Sequence, residues 1–263
     1  MSSPSLVIIG GGNMGAALAR GLLSKKLKPA ELVIVEASAE RRQVLQKDFP
    51  GVQIVEQMQN CESAIIAVKP NDVVAVCSLL NSSGVKQVLS IAAGVTIASL
   101  ESACGNSISV IRAMPNTPAI VGQGASAISA GQSCSVEQIN WAKEILQSVG
   151  IVVVVEESLL DTVTGLSGSG PAYVFLLAEA LISAGVQQGL SSEISNTLVR
   201  QLLVGSSVLL AQSSESPSKL RQNVTSPNGT TAAGIAELQS KQFAEIIAAA
   251  VRAATARSVE LGE

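Results

Sequence analysis

The sequence predicts an α/β chain: a doubly wound, mostly parallel sheet, followed by an all-helical C-terminal domain that a second copy completes. Three observations carry this expectation. Short β-branched runs alternate with helical segments through residues 1–158, strand signals stop after about Glu157, and one of the later helices has no polar face.

The expected strands are Leu6–Ile9, Leu32–Val35, Gln53–Val55, Ala64–Val68, Val88–Ile91 and Val110–Arg112. Helical stretches fall between them at Met14–Leu27, Ala39–Asp48, Asp72–Leu80 and Ile97–Cys104. Apolar strands separated by helices need a crossover at every step, which gives parallel pairing with helices on both faces. Ala125–Ser129 and Ile151–Val155 add two strands around a helix at Glu137–Ser148.

Beyond residue 158 the pattern is helical, and residues 159–263 form the second expected domain. Pro171–Gly185 places Val174, Leu177, Ala178 and Leu181 on one face. Leu198–Leu210 is apolar nearly all round, and Phe243, Ile246, Ile247, Ala250 and Ala254 stripe a last helix. A helix without a polar face needs cover on every side. Either a second copy supplies it, or the first domain of the same chain does.

Composition narrows the chemistry. Hydrophobic residues make up 47% of the 263 residues and aromatics only 2%, so the core is built from Ala, Val, Ile and Leu. The net charge of −3, with no basic stripe, argues against nucleic acid as partner. Cys61, Cys77, Cys104 and Cys134 are widely spaced, as free thiols are, and suit neither a disulfide framework nor a zinc site. There is no histidine, which removes the commonest acid/base, metal ligand and Ser-His or Cys-His dyad. No metal is expected. The start, Met-Ser-Ser-Pro-Ser, lacks a basic n-region, and three glycines interrupt the apolar run that follows. The expectation is a cytoplasmic protein with no signal peptide and no membrane span.

Gly10-Gly11-Gly12-Asn13-Met14-Gly15 is a GxGxxG directly after a strand and directly before a helix. Glycines permit the tight turn and close approach to a pyrophosphate, and the helix start offers unpaired N–H groups, the arrangement of a Rossmann-type dinucleotide site. Glu36 ends the second strand, 24 positions after Gly12, where an acid meets the ribose hydroxyls of NADH. Arg41 and Arg42 follow, either to bind the extra phosphate of NADPH or as a solvated first helical turn, so the cofactor is NADPH or NADH. Ala67-Val68-Lys69-Pro70 ends the fourth strand, at the crevice where such sheets bind ligands. Lys69 is there either a cofactor contact or an exposed lysine.

Three further segments, with the glycine loop, resemble pyrroline-5-carboxylate reductase over about residues 6–261. They are Val110-Ile-Arg-Ala-Met-Pro-Asn-Thr-Pro118 (preceded by Ser90-Ile-Ala-Ala-Gly-Val-Thr96), Thr164-Gly-Leu-Ser-Gly-Ser-Gly-Pro-Ala-Tyr173, and Leu220-Arg-Gln-Asn-Val-Thr-Ser-Pro-Asn-Gly-Thr-Thr231. The resemblance implies a Rossmann domain, a helical domain that interlocks with a partner's, an active site at the dimer interface, and often a larger oligomer of dimers. It places Ala93 and Asn116 in the cofactor pocket, and Ser226, Gly229 and Thr230 around the substrate carboxylate. It sets Thr231 beside the imine nitrogen, and Glu157 and Gln222 near bound L-proline. Two departures stand out. Asn228 replaces a usual glycine, which Asn tolerates because it accepts positive φ, and Gln222 replaces a frequent acid.

Read without the resemblance, Ser226–Thr231 is a turn followed by a helix cap, and Ser167–Pro171 is a loop opening a helix with Pro at its start. The implied reaction is hydride transfer from NAD(P)H to 1-pyrroline-5-carboxylate. A protonated imine is already electrophilic, so a protein without histidine suffices, and Thr231 serves as a hydrogen-bonding group rather than an acid. A β-hydroxyacid dehydrogenase shares the glycine loop but needs a lysine after the inter-domain segment, and Pro171–Gln188 contains none. A non-catalytic dinucleotide sensor needs the first domain but not the Ser226–Thr231 loop.

Overall fold

A computed structural model of the chain describes residues 5–25, 27–105 and 107–262. Met1–Pro4, on which the expectation about a leader partly rests, and Lys26, inside the first expected helix, lie outside the described residues. Two compact units emerge: one holds the chain up to Ser169 and from Arg252 on, the other holds Gly170–Val251.

The first unit is built on one eight-stranded sheet: β1 (Leu6–Ile9), β2 (Leu32–Val35), β3 (Gln53–Val55), β4 (Ser63–Ile66), β5 (Gln87–Ser90), β6 (Ser109–Met114), β7 (Gly124–Ala130) and β8 (Gly150–Val154). Their order is 3-2-1-4-5-6-7-8. All neighbours are parallel except β6 and β7, which run antiparallel in the register Ile111↔Ala130. The helices of this unit are α1 (Asn13–Lys25), α2 (Ala39–Asp48), α3 (Val73–Leu80), α4 (Ile97–Cys104), α5 (Val136–Gln147) and α6 (Leu160–Val163), the last leading into a π-turn at Thr164–Gly168.

Side-chain alternation divides the strands between two cores. Leu6, Ile8, Leu32, Ile34, Ile65, Leu89 and Ile111 face the core that includes Leu18 of α1, Leu45 of α2 and Leu146 of α5. Val7, Ile9, Val33, Val35, Ala64, Ile66, Val88 and Val110 face the core of Val73, Leu80, Leu100 and Cys104 from α3 and α4. Cover on both faces is why these strands read as unbroken apolar runs. Cys61, Cys77 and Cys104 are buried thiols of the second core, and burial pushes Cys61 up to about 11, which keeps it protonated. Caps set the helix starts: Ser38 accepts from Arg41 N, Thr96 from Ser99 N, and Ser135 forms a capping box with Gln138.

One buried cation holds the later part of this unit together. Arg112, on β6, donates from Nη1 to Glu157 Oε1 at 3.1 Å and lies 3.7 Å from Asp161 Oδ1. Glu157 Oε1 also accepts from Ile97 N at the start of α4, and Asp161 Oδ1 from Ser258 Oγ at 2.6 Å.

The second unit holds α7 (Gly170–Gln187), α8 (Ser192–Gln212), α9 (Pro217–Asn223) and α10 (Thr230–Ser240). The last helix, α11 (Phe243–Gly262), is continuous, with its residues up to Val251 counted here and the rest in the first unit. Gly185 of α7 meets Ser195 of α8 closely: a Cβ on the glycine would lie 2.8 Å from Ser195 Oγ. Leu198 and Leu202 of α8 are each more than half exposed, and Phe175 of α7 is 64% exposed.

Replacing Arg112 with Met leaves Glu157 and Asp161 without their cation, and we expect a loss of about 3 kcal/mol of stability in urea unfolding. Ser258→Ala removes only one hydrogen bond to Asp161 and should cost about 1.5 kcal/mol. Equal stability of Arg112→Met and wild type would show that the ion cluster does not hold this unit together.

Candidate functional site

A cavity of about 920 Å³ opens at the C-terminal ends of β1, β2 and β4. The position follows from topology: β1 and β4 are neighbours, the chain leaves β1 toward β2 and β4 toward β5 on the other side, and the two connections diverge there. Gly10, Gly12, Glu36, Ala67, Val68 and Lys69 line it, all named from the sequence. Lys69 is both exposed and on the cavity wall. Ala37 and Glu56–Met58 also line it and were missed. Glu56 directly follows β3, so the strand-end logic that found Glu36 would have found it too.

The glycines of the β1–α1 turn have separable roles. Gly10 sits at φ +102, and a Cβ there would collide with the Ala67 carbonyl. On Gly15 a Cβ would collide with the Gly10 carbonyl oxygen, and on Gly11 with Leu45. Gly12 differs: a Cβ there meets nothing within 4 Å, yet the residue lines the cavity. Among the described residues no protein atom requires Gly12 to lack a side chain, and the space over it is open toward the cavity. The first backbone bond of α1 runs from Ala16 N to Gly12 O, so the amides of Asn13, Met14 and Gly15 precede the helical ladder. Open space over Gly12 with a helix start beside it fits a dinucleotide pyrophosphate.

Gly11 is clamped from both sides. Its N–H donates to Glu36 Oε2 at 2.9 Å, and its carbonyl accepts from Arg41 Nε at 2.7 Å. Glu36 Oε1 accepts from Ser38 N at 2.9 Å. Arg42 donates through Nη1 to the carbonyls of Glu36 and Ala37, and through Nη2 to Glu56 at 3.0 Å. Arg41 therefore braces the glycine loop and Arg42 the segment after β2, an arrangement the sequence reading did not include.

The other expected cofactor residues do not line this cavity. Asn13 is exposed, Met14 is half-buried against the core, and Gly15 is buried. Pro70 opens a short 3-10 turn, and Ala93 is exposed in the loop after β5. Asn116 follows β6 and is buried. Its Nδ2 donates to Ser167 O at 3.0 Å and its Oδ1 accepts from Ala125 N at 2.8 Å.

Of the expected substrate residues, Glu157 belongs to the Arg112 cluster of the first unit. The others lie in the second unit. Gln222 is exposed on α9. Ser226–Gly229 form a turn closed by Gly229 N donating to Ser226 O at 3.0 Å, and Asn228 adopts φ +58. The N-cap of α10 is Gly229, with no side-chain cap, so Thr230 and Thr231 are the first two helical residues, both exposed. This differs from a side-chain-capped helix start: the first amides of α10 are left for another acceptor, and a carboxylate suits such a position.

Comparison with known proteins adds the following. A family model described as pyrroline-5-carboxylate reductase dimerisation matches residues 157–261, and one described as NADP oxidoreductase, coenzyme F420-dependent, matches residues 5–94. The chain is 42% identical over 269 residues to a pyrroline-5-carboxylate reductase of a Synechocystis species, covering 99% of each. It is 38% identical over 270 residues to one of Pseudomonas aeruginosa, covering 100% of this chain and 98% of that protein. Among solved structures, a pyrroline-5-carboxylate reductase from Coxiella burnetii superposes with a TM-score of 0.93 at 34% identity, covering 100% of both chains. A Plasmodium falciparum pyrroline carboxylate reductase with NADP bound gives 0.83 at 31% identity, again over 100% of both.

The contrast between Gly12 and Gly15 is open to test. Gly12→Ala should fold with a Tm near wild type but bind NADPH and NADH weaker on the order of tenfold or more, because the new methyl occupies ligand space. Gly15→Ala should lose about 2 kcal/mol of stability from overpacking. Unchanged cofactor affinity in folded Gly12→Ala, measured by isothermal titration, would remove the glycine loop from the site.

Proposed function

The chain belongs to the pyrroline-5-carboxylate reductase family, and we infer that it transfers a hydride from NADPH or NADH to the imine carbon of 1-pyrroline-5-carboxylate, giving L-proline. The carrying observation is the cavity at the glycine loop, open over Gly12, in a chain that matches these enzymes from end to end. The bound nicotinamide supplies the hydride, and the protein's work is to hold the reactants and exclude competing reactions.

For the cofactor we propose contacts from Gly10, Gly12, Asn13, Met14 and Gly15 to the pyrophosphate and from Glu36 to the ribose. Ala67, Val68, Lys69 and Pro70 flank it. The nicotinamide half would extend along the same sheet edge, past the ends of β5 and β6, where Ala93 and Asn116 follow. Parallel order through β6 supports this by placing all these strand ends on one edge.

For the substrate, the uncapped start of α10 supports a carboxylate cradle of Ser226, Gly229 and Thr230. Thr231 is assigned to hydrogen bonding at the ring nitrogen, with the proton arriving from solvent or already on the imine. Glu157 and Gln222 are placed near the ring. Because Glu157 Oε1 is already held by Arg112 and Ile97 N, its second oxygen is the one assigned to substrate.

The active unit we propose is a homodimer with interlocked C-terminal domains, the active site completed across the interface, and larger assemblies built from such dimers. Glu157–Gln187 and Ser192–Gln212 are long and apolar enough to cross a membrane. Both fall inside the stretch matched by the dimerisation model, which favours a second copy over lipid as their cover. The net charge supports a protein without nucleic-acid partners, and the four free cysteines support a cytoplasmic location.

The deciding assay is oxidation of NADPH or NADH on addition of 1-pyrroline-5-carboxylate; folded protein inactive with both would sink the assignment. Within it, Thr231→Val should lower kcat/KM roughly five- to several-hundred-fold while cofactor affinity stays put, and Thr231→Ser should keep most activity. Thr231 is not the cap residue, so unfolding should move by no more than about 0.5 kcal/mol. Wild-type kcat/KM in Thr231→Val would remove the hydroxyl from the mechanism. Light scattering at micromolar concentration should give at least the mass of a dimer; a single-chain mass would refute the proposed cover for α7 and α8.

A further inference from the structure

NADH and NADPH differ only by a phosphate on the adenosine ribose, and in a sheet of this order that ribose meets the end of β2. We propose that Glu36 makes this chain select NADH over NADPH, an inference that rests on the cavity taking a nicotinamide dinucleotide.

The geometry of Glu36 carries it. Here Oε2 accepts from Gly11 N and Oε1 from Ser38 N, each at 2.9 Å. Rotation would strip the acceptor from both amides, and Gly11 is buried. The negative charge is therefore fixed on the cavity wall. A carboxylate oxygen that accepts one bond retains a further acceptor site, so a ribose hydroxyl can still donate to it. A phosphate at that point brings charge of the same sign and no matching donor.

The two neighbouring arginines are already bonded to protein groups. Arg42 places Nη1 on two backbone carbonyls and Nη2 on Glu56, and Arg41 places Nε on the Gly11 carbonyl. Neither arginine lines the cavity. Its ionisable wall residues are Glu36, Glu56, Asp72 and Lys69, and Lys69 stands at the end of β4 rather than β2. On the cavity wall itself the β2 end thus offers two carboxylates and no guanidinium.

Isothermal titration of the full-length protein with NADH and with NADPH, without substrate, tests this apart from catalysis. Wild type should bind NADH tighter on the order of tenfold or more. Glu36→Gln, which keeps an acceptor oxygen but removes the charge, should narrow the gap chiefly by strengthening NADPH. NADPH bound equally or more tightly by wild type would overturn the inference on its own, whether or not the variant folds. So would an unchanged ratio in folded Glu36→Gln, or a selective loss of NADPH affinity in Arg41→Met. Binding of neither cofactor would overturn the dinucleotide reading along with this one.

Discussion

The β1–α1 turn can close only because Gly10 and Gly15 carry no side chains. A Cβ on either would occupy the space of a backbone carbonyl, of Ala67 in one case and of Gly10 in the other. Such collisions involve main chain at the centre of a parallel sheet, which has no room to retreat. With the turn closed, α1 starts directly beyond the β1 strand end, and Gly10 and Gly12 stand on the cavity wall beside the end of β4. Everything proposed for cofactor binding depends on that approach. Gly11 and Gly12 then divide the remaining work: one is held by Glu36 and Arg41, the other leaves space.

A second constraint acts further along the sheet. Arg112 is a buried cation on a strand otherwise filled with apolar side chains, and such a charge persists only when paired. Its partners, Glu157 and Asp161, lie just beyond the last strand, where the chain begins its helical part. Through Ile97 N and Ser258 the same carboxylates reach the start of α4 and the end of α11. The cluster brings residues far apart in sequence to one point, and it places Glu157 in a supporting network before any substrate is considered.

Much of the fold was legible because parallel strands covered on both faces leave a plain signature. The strands expected at Leu6–Ile9, Leu32–Val35 and Gln53–Val55 and the helices at Ala39–Asp48 and Ile97–Cys104 have the observed bounds. The later strands are displaced or extended by a residue or two, since strand ends depend on pairing partners that a run of Val and Ile does not reveal. The antiparallel step from β6 to β7 was not predicted, because side-chain alternation is the same in either direction. Helix α10 was read only as a cap: Thr230–Ser240 carries Gly234 and a weak apolar stripe, so little in the segment by itself favours a helix of that length.

For the candidate site, sequence alone singled out the glycine loop, the acid at the end of β2 and the Ala67–Pro70 segment, and it showed Ser226–Thr231 as a turn before a helix. Those features are local: residue type and spacing from a strand end or helix start are enough to specify them. Tertiary structure alone decided what each group is bonded to. Arg41 and Arg42 turned out to brace backbone carbonyls, Glu36 to be fixed by two amides, and Asn116 to have both ends of its amide engaged. It also decided that Gly12, among four glycines of one loop, is the one whose missing side chain no protein atom requires. Hydrogen bonds and steric contacts between residues tens of positions apart depend on distances that only the folded chain sets, and a linear pattern does not contain them.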